Sequence, residues 1–324
     1  MSRFAPWQQA VLDSALAAHA EQRLGHALLL IGPAQMGKVD VALALAQRLL
    51  CKTPGADNLA CGRCRSCQLF AAETHGDFKR VSFEPNEKGD KLRTEISVDQ
   101  IRRLGQWFSL TPQMGGAQVA VIEPADALNI ASANALLKTL EEPAPNRFLL
   151  IVTSKPGRLP ATIRSRCQRL EFRLPSRAVA LAWLREKGHP EDSAAPALDA
   201  ALGHPGLAED WLSHGGLTLR KEVRADLNAV GSGQMSPVEL AQRWLADEQA
   251  ELRLRFSADL ALEAAAGRLG AGTVTRGGLN APSDFSRLSD WFDAVNRTRE
   301  QLRAPLRHDL ILAGLLHQWR SMFQ

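Results

Sequence analysis

The chain has 324 residues, 45% of them hydrophobic and 23% charged, which is enough apolar material for two or three cores and too much for extended disorder or a fibrous repeat. Its 39 basic and 35 acidic side chains leave a formal charge of +4, a balance that permits contact with nucleic acid without pointing to it. No stretch approaches the roughly 18 consecutive apolar residues of a membrane-spanning helix, and the opening residues carry Arg3, Asp13 and Glu21 with no apolar signal core. The expectation is therefore a cytoplasmic protein with no membrane partner.

In chain order, Pro6 suits a first helical position, and Trp7, Val11, Leu12, Ala15 and Leu16 then fall on one helix face. Residues 27–31 are wholly apolar and end in Gly32-Pro33, the pattern of a buried strand, and residues 38–50 are an Ala/Leu-rich segment of helical length. A cysteine-rich segment occupies 51–67, a weakly alternating strand candidate 78–83, and a polar loop 84–94. Ser97 and Gln100 form a capping-box pair that opens a helix with Ile101, Leu104 and Phe108 at helical spacing. Residues 119–122 and 148–152 read as further buried strands, separated by a helix over 130–142 that Pro143 stops. Short apolar strands alternating with helices predict crossover connections and a parallel sheet covered on both faces, so residues 1–173 are expected to be an α/β domain.

Past Pro175 only helical patterns remain. Residues 177–187, 194–202 and 207–212, broken at Gly188-His189-Pro190 and Gly203-His204-Pro205-Gly206, predict a small helical domain over 174–214. An all-helical third domain is expected over 215–324, interrupted at Gly231-Ser232-Gly233 and by a glycine-rich loop over 269–283. Its last helix is apolar at Leu310, Ile311, Ala313, Leu315, Leu316 and Trp319 and must pack on its own bundle or on a partner.

Gly32-Pro33-Ala34-Gln35-Met36-Gly37-Lys38 fits G-x-x-x-x-G-K between a strand and a helix, the context in which loop amides and a lysine cradle phosphates. The next residue should place a hydroxyl on magnesium, and here it is Val39. A working site also needs an acidic pair at the end of a later strand. Glu123 takes the first place, but Pro124 takes the second and offers no base. Two catalytic parts are missing, so Gly32, Gly37 and Lys38 are read as a remnant that does not hydrolyse ATP, with nucleotide binding left open.

Cys51, Cys61, Cys64 and Cys67 supply four thiolates within seventeen residues, the number and type that a closed structural zinc site takes; free thiols are the bland alternative and a disulfide the least favoured. Four thiolates and one Zn²⁺ add two negative charges, lowering the formal +4 to about +2. The eight histidines show no catalytic or metal-binding spacing and read as core, cap or surface residues. Arg158, Arg164, Arg166, Arg169 and Arg173 form a basic stretch that suits a solvated face, duplex phosphates or a partner subunit.

Asn134-Ala135-Leu136-Leu137-Lys138-Thr139-Leu140-Glu141-Glu142-Pro143 and Ile163-Arg164-Ser165-Arg166-Cys167, together with the phosphate loop and the cysteine cluster, resemble the signature segments of clamp-loader AAA+ proteins over the first half of the chain. The resemblance is nearest to the subunit type that combines a degenerate nucleotide site with an intact Ser-Arg-Cys motif. It implies that Arg166 projects toward ATP held by a neighbouring subunit and acts there in trans. It implies also that Cys167 is a small core residue, that the cysteines hold zinc, and that Gly206 stands where ATP-using relatives place a second arginine. The implied setting is the DNA polymerase III clamp loader, a hetero-pentamer with tau/gamma-type ATPase subunits and a delta subunit, meeting the sliding clamp and primed DNA through the complex. The implied architecture is an AAA+ domain with a zinc module, a helical lid and a C-terminal helical collar. The alternative is an active ATPase subunit of the same loader, which predicts Ser or Thr at 39 and an Asp-Glu pair at 123 and 124. A stand-alone zinc-dependent DNA-binding module needs a stronger basic patch than this chain carries.

Overall fold

The computed structural model describes residues 4–86, 88–268, 279–281, 284–302, 304 and 306–323. The chain divides into two compact units, Met1–Glu209 and Asp210–Gln324.

The first unit runs α1 (Pro6–Ala20), β1 (Ala27–Ile31), α2 (Lys38–Leu50), α3 (Arg65–Ala71), β2 (Phe78–Val81), α4 (Val98–Phe108), β3 (Gln118–Ile122), α5 (Ile130–Glu141), β4 (Arg147–Thr153), α6 (Ala161–Arg164) and β5 (Gln168–Glu171), followed by α7 (Arg177–Glu186), α8 (Glu191–Ala200) and α9 (Pro205–Ser213). The strands form one parallel sheet in the order β2-β3-β4-β1-β5. Successive side chains of a strand point to opposite faces, so each central strand feeds two cores. Leu28 and Leu30 of β1, Val119 and Val121 of β3, and Leu150 and Val152 of β4 pack with Leu12 and Leu16 of α1 and Val41, Leu45 and Leu49 of α2. Ala27 and Leu29, Ala120 and Ile122, and Leu149 and Ile151 pack on the opposite face with Ile101 and Leu104 of α4 and Leu136 and Leu140 of α5. The expected parallel α/β architecture is present.

The cap of α4 forms as the sequence predicts, with Ser97 accepting from the Gln100 amide and the Gln100 side chain reaching back to the Ser97 N–H at 2.8 Å. Three elements of this unit go beyond the sequence reading, one of them the short helix α6. β5 is a sheet edge written Gln-Arg-Leu-Glu with only Leu170 buried, so it carries no apolar run. α3 lies within and after the cysteine segment and is capped by Cys64.

The second unit is helical among its described residues: the end of α9, then α10 (Gly216–Gly231), α11 (Pro237–Trp244), α12 (Ala250–Arg268), α13 (Phe285–Gln301) and α14 (His308–Ser321). Most of the predicted glycine-rich loop, residues 269–278, 282 and 283, lies outside the described residues. The apolar face of α14 turns inward, burying Leu312, Leu315, Leu316 and Trp319, while Leu310 remains exposed. Indoles organise this core: the rings of Trp291 and Trp319 lie 4.6 Å apart, and the Trp319 N–H donates to the Leu227 carbonyl at 2.8 Å. No described helix is long and apolar enough to cross a membrane.

Candidate functional site

Gly32 and Gly37 give the phosphate loop its shape. Both have positive φ, at +144° and +76°, a region that other residues enter at a steric cost. A Cβ at Gly32 would stand 2.4 Å from the Phe172 carbonyl oxygen, and one at Gly37 would stand 1.7 Å from the Gln8 side-chain amide. The loop is lashed to α1, because the Met36 carbonyl accepts from Trp7 Nε1 at 3.2 Å and from Gln8 Nε2 at 3.1 Å.

Two charged groups of the pocket, Lys38 and Glu123, and the nearby Asp126 are engaged within the chain. Lys38 is 5% exposed and donates to the Gly32 carbonyl at 2.9 Å, to the Pro33 carbonyl and to Ser154 Oγ at 3.0 Å. Burial draws its ammonium down to about 8, with the nearby Asp126 carboxylate pulling the other way. Glu123, at the end of β3, accepts from Arg80 of the neighbouring β2 through Nε at 2.6 Å and through Nη2. Asp126 accepts from the Thr153 hydroxyl at 2.7 Å. Val39 packs against the apolar core and brings no ligand oxygen. A cavity of about 610 Å³ remains here, with Gln35, Lys38, Val39, Glu123, Pro124 and Trp183 among its lining.

The start of α9 closes on the same loop. His204 Nδ1 accepts from the Leu207 amide at 3.1 Å, which makes Nε2 the protonated nitrogen and the donor to the Ala34 carbonyl at 2.7 Å. A Cβ at Gly206 would lie 1.9 Å from the Gln35 carbonyl oxygen. An arginine at 206 would displace the loop, so the glycine is what this close approach requires.

The four cysteines converge. Cys51 ends α2, Cys61 lies in the loop, and Cys64 and Cys67 open α3; their sulfurs all lie within 4.8 Å of one another, with Cys51 and Cys64 at 3.9 Å. A tetrahedron with metal–sulfur bonds of about 2.3 Å has sulfurs about 3.8 Å apart, so a small contraction closes the site on a metal ion. The Thr53 hydroxyl and the Arg63 and Cys64 amides draw the Cys61 thiol down to about 5, whereas burial pushes Cys67 up to about 12. Four sulfurs with no histidine or carboxylate suit a soft or borderline metal held for structure.

A clasp that spacing does not reveal ties this module to the sheet. His75 Nδ1 accepts from the Asp77 amide at 3.0 Å, so Nε2 carries the proton toward Ser66 Oγ at 2.8 Å, and Ser66 donates in turn to the Leu50 carbonyl at 2.7 Å. Burial lowers the His75 pKa, keeping the ring neutral. The imidazole donates to the serine, so the pair is structural and does not activate a nucleophile.

Arg166 does not line the cavity at the phosphate loop. It follows α6, with its side chain 38% exposed; Nη1 donates to the Thr162 carbonyl at 2.9 Å and Nη2 meets Glu141 Oε1 at 2.8 Å. Cys167 is half-buried against the sheet core, and burial pushes its thiol up to about 11. Within the basic stretch Arg173 pairs with Glu171 at 2.7 Å. Sequence reasoning did not find Arg80, Ser154, Glu141 or His75 as partners. Each meets its group across a separation set by the fold, and no local pattern marks them.

The family model described as "DNA polymerase III, delta subunit" matches residues 7–176. The DNA polymerase III subunit delta' of Pseudomonas aeruginosa is 39% identical over 246 residues, covering 75% of this chain and 72% of the relative. That of Escherichia coli K12 is 33% identical over 327 residues, covering 97% of this chain and 94% of the relative. Among solved structures, a DNA polymerase III gamma subunit-related protein from Thermotoga maritima aligns over 97% of this chain and 99% of its own, at 16% identity and a TM-score of 0.46. With the family model matching residues 7–176 and relatives at 33% and 39% identity covering 97% and 75% of the sequence, the chain belongs to the family of DNA polymerase III delta' subunits.

Proposed function

We propose that this chain is a non-hydrolysing delta' subunit of a DNA polymerase III clamp loader, which presents Arg166 to ATP bound by a neighbouring tau/gamma-type subunit. The observation that carries the reading is the contrast between the two sites. Lys38 and Glu123 are engaged by the chain's own groups and Val39 and Pro124 replace the metal-binding and base positions, whereas Arg166 keeps an exposed edge away from that pocket. A guanidinium delivered across a subunit boundary stabilises charge on the transferring phosphoryl group, an effect worth roughly 10³ to 10⁵ in rate where it operates.

The remaining assignments belong to the same reading. Cys51, Cys61, Cys64 and Cys67 hold structural zinc, residues 174–214 are a lid that no longer closes on nucleotide, and residues 215–324 form the collar that joins subunits. The partners are the tau/gamma-type ATPases and delta in a cytoplasmic hetero-pentamer, with the sliding clamp and primed DNA engaged through the assembly. An active ATPase subunit is disfavoured because restoring its chemistry would require freeing both Lys38 and Glu123 from their present partners.

The experiment is a turnover assay in two settings. The purified chain should release no phosphate above background, and Arg166→Ala should lower ATP turnover of the reconstituted assembly by at least about a hundredfold while leaving the subunit folded and incorporated. Robust hydrolysis by the isolated chain, or an Arg166→Ala assembly with full turnover, defeats the proposal.

A further inference from the structure

We infer that Glu141 is a positioning residue for Arg166, holding one edge of its guanidinium so that the other is presented at the subunit surface; the inference rests on the function proposed above. An arginine side chain has many rotamers, and an exposed one reaches a fixed target only after losing that freedom. Here Nη1 donates to the Thr162 carbonyl at 2.9 Å, and Nη2 lies 2.8 Å from a Glu141 carboxylate oxygen in an ion pair. Thr162 belongs to α6 and Glu141 ends α5, so two packed elements fix the plane of the group. The side chain held by these two contacts remains 38% exposed, so N–H donors are left to face outward.

The position of Glu141 has a local cost. It is the last residue of α5, with Glu142 at the cap, and the negative end of a helix dipole disfavours carboxylates. The Glu142 amide closes on the Lys138 carbonyl at 3.1 Å, so the final turn is formed and the unfavourable field is present. For helix stability alone, a neutral residue serves better at 141. The cation of Arg166 is what makes a carboxylate favourable there, and the pair is oriented by both the charge and the helix end.

The test uses the reconstituted assembly carrying Glu141→Ala, Glu141→Gln, Arg166→Ala or the double Glu141→Ala/Arg166→Ala variant, with kcat and KM for ATP measured in each. Glu141→Ala should lower kcat on the order of tenfold with KM unchanged, as expected when a transition-state contact loses its alignment. Glu141→Gln, which keeps the acceptor oxygen without its charge, should lose less. The double variant should be no slower than Arg166→Ala alone. The melting midpoint of the isolated Glu141→Ala subunit should change little, because the loss of a half-exposed ion pair is offset by removing a carboxylate from the negative helix end, so misfolding would not account for the lower kcat. Unchanged or faster turnover in Glu141→Ala, or a double variant slower than Arg166→Ala, overturns the inference and leaves the proposed function standing provided Arg166→Ala itself is slow. An Arg166→Ala assembly with full turnover removes both.

Discussion

Lys38 directs its ammonium hydrogens to two loop carbonyls and the Ser154 hydroxyl, satisfying itself with groups of its own chain. Its charge is nonetheless costly to bury, and its pKa falls from 10.5 to about 8. Between those values the unfolded chain binds more protons than the folded one, so stability gains from this residue as pH rises from about 8 toward 10.5; below 8 both states carry the charge and the burial penalty is constant. Comparing wild type with Lys38→Met, the difference in melting midpoint should therefore shift in favour of wild type across that window, as followed by circular dichroism from pH 7 to 10. A difference that is flat with pH contradicts this account. Lys38→Met should also leave turnover of the reconstituted assembly within about twofold, since on the function proposed above the residue acts on no phosphate.

Among the elements, the loop between α2 and β2 depends on four sulfurs and one clasp. The cysteine segment itself buries few apolar side chains, so on the function proposed above most of its order would come from metal ligation and from the Ser66–His75 link. Elemental analysis should find close to one zinc per chain, and Cys61→Ser or prolonged chelation should release it and lower the melting midpoint by several degrees; a stoichiometry near zero in protein purified without chelator rejects the metal. This module was legible in the sequence because ligand type and spacing are local. So were β1, β3 and β4, whose burial on both faces demands continuous apolar runs such as Ala27–Ile31. β5 was not, because an edge strand needs one buried side chain, Leu170, and alternation over four residues is too short to read. The internal partners of the remnant site were equally hidden: Lys38 meets Ser154 across 116 residues and Arg80 meets Glu123 across 43, and only sheet order decides such meetings.

On the scale of the whole molecule, the two units rest on different physics. The first is ordered by a sheet with a core on each face, the second by helices gathered around indoles, of which Trp244, Trp291 and Trp319 find carbonyl or carboxylate partners for their N–H groups while the buried Trp211 N–H finds none among the described residues. Trp319 is fully buried between Trp291 and Phe323, and its removal should cost about 3–5 kcal/mol. Urea unfolding of Trp319→Ala, followed by the remaining tryptophans, should show a midpoint lowered accordingly, with the zinc content of the native protein unchanged; a loss under about 1 kcal/mol would mean that the bundle is not organised around this ring. The rim strand β5 bears on a different matter. With Gln168, Arg169 and Glu171 turned to solvent and charge on both sides of its one apolar residue, it offers a stray extended chain a poor template for lengthening the sheet. The chain is thereby guarded against stacking edge to edge with copies of itself and dropping out of solution.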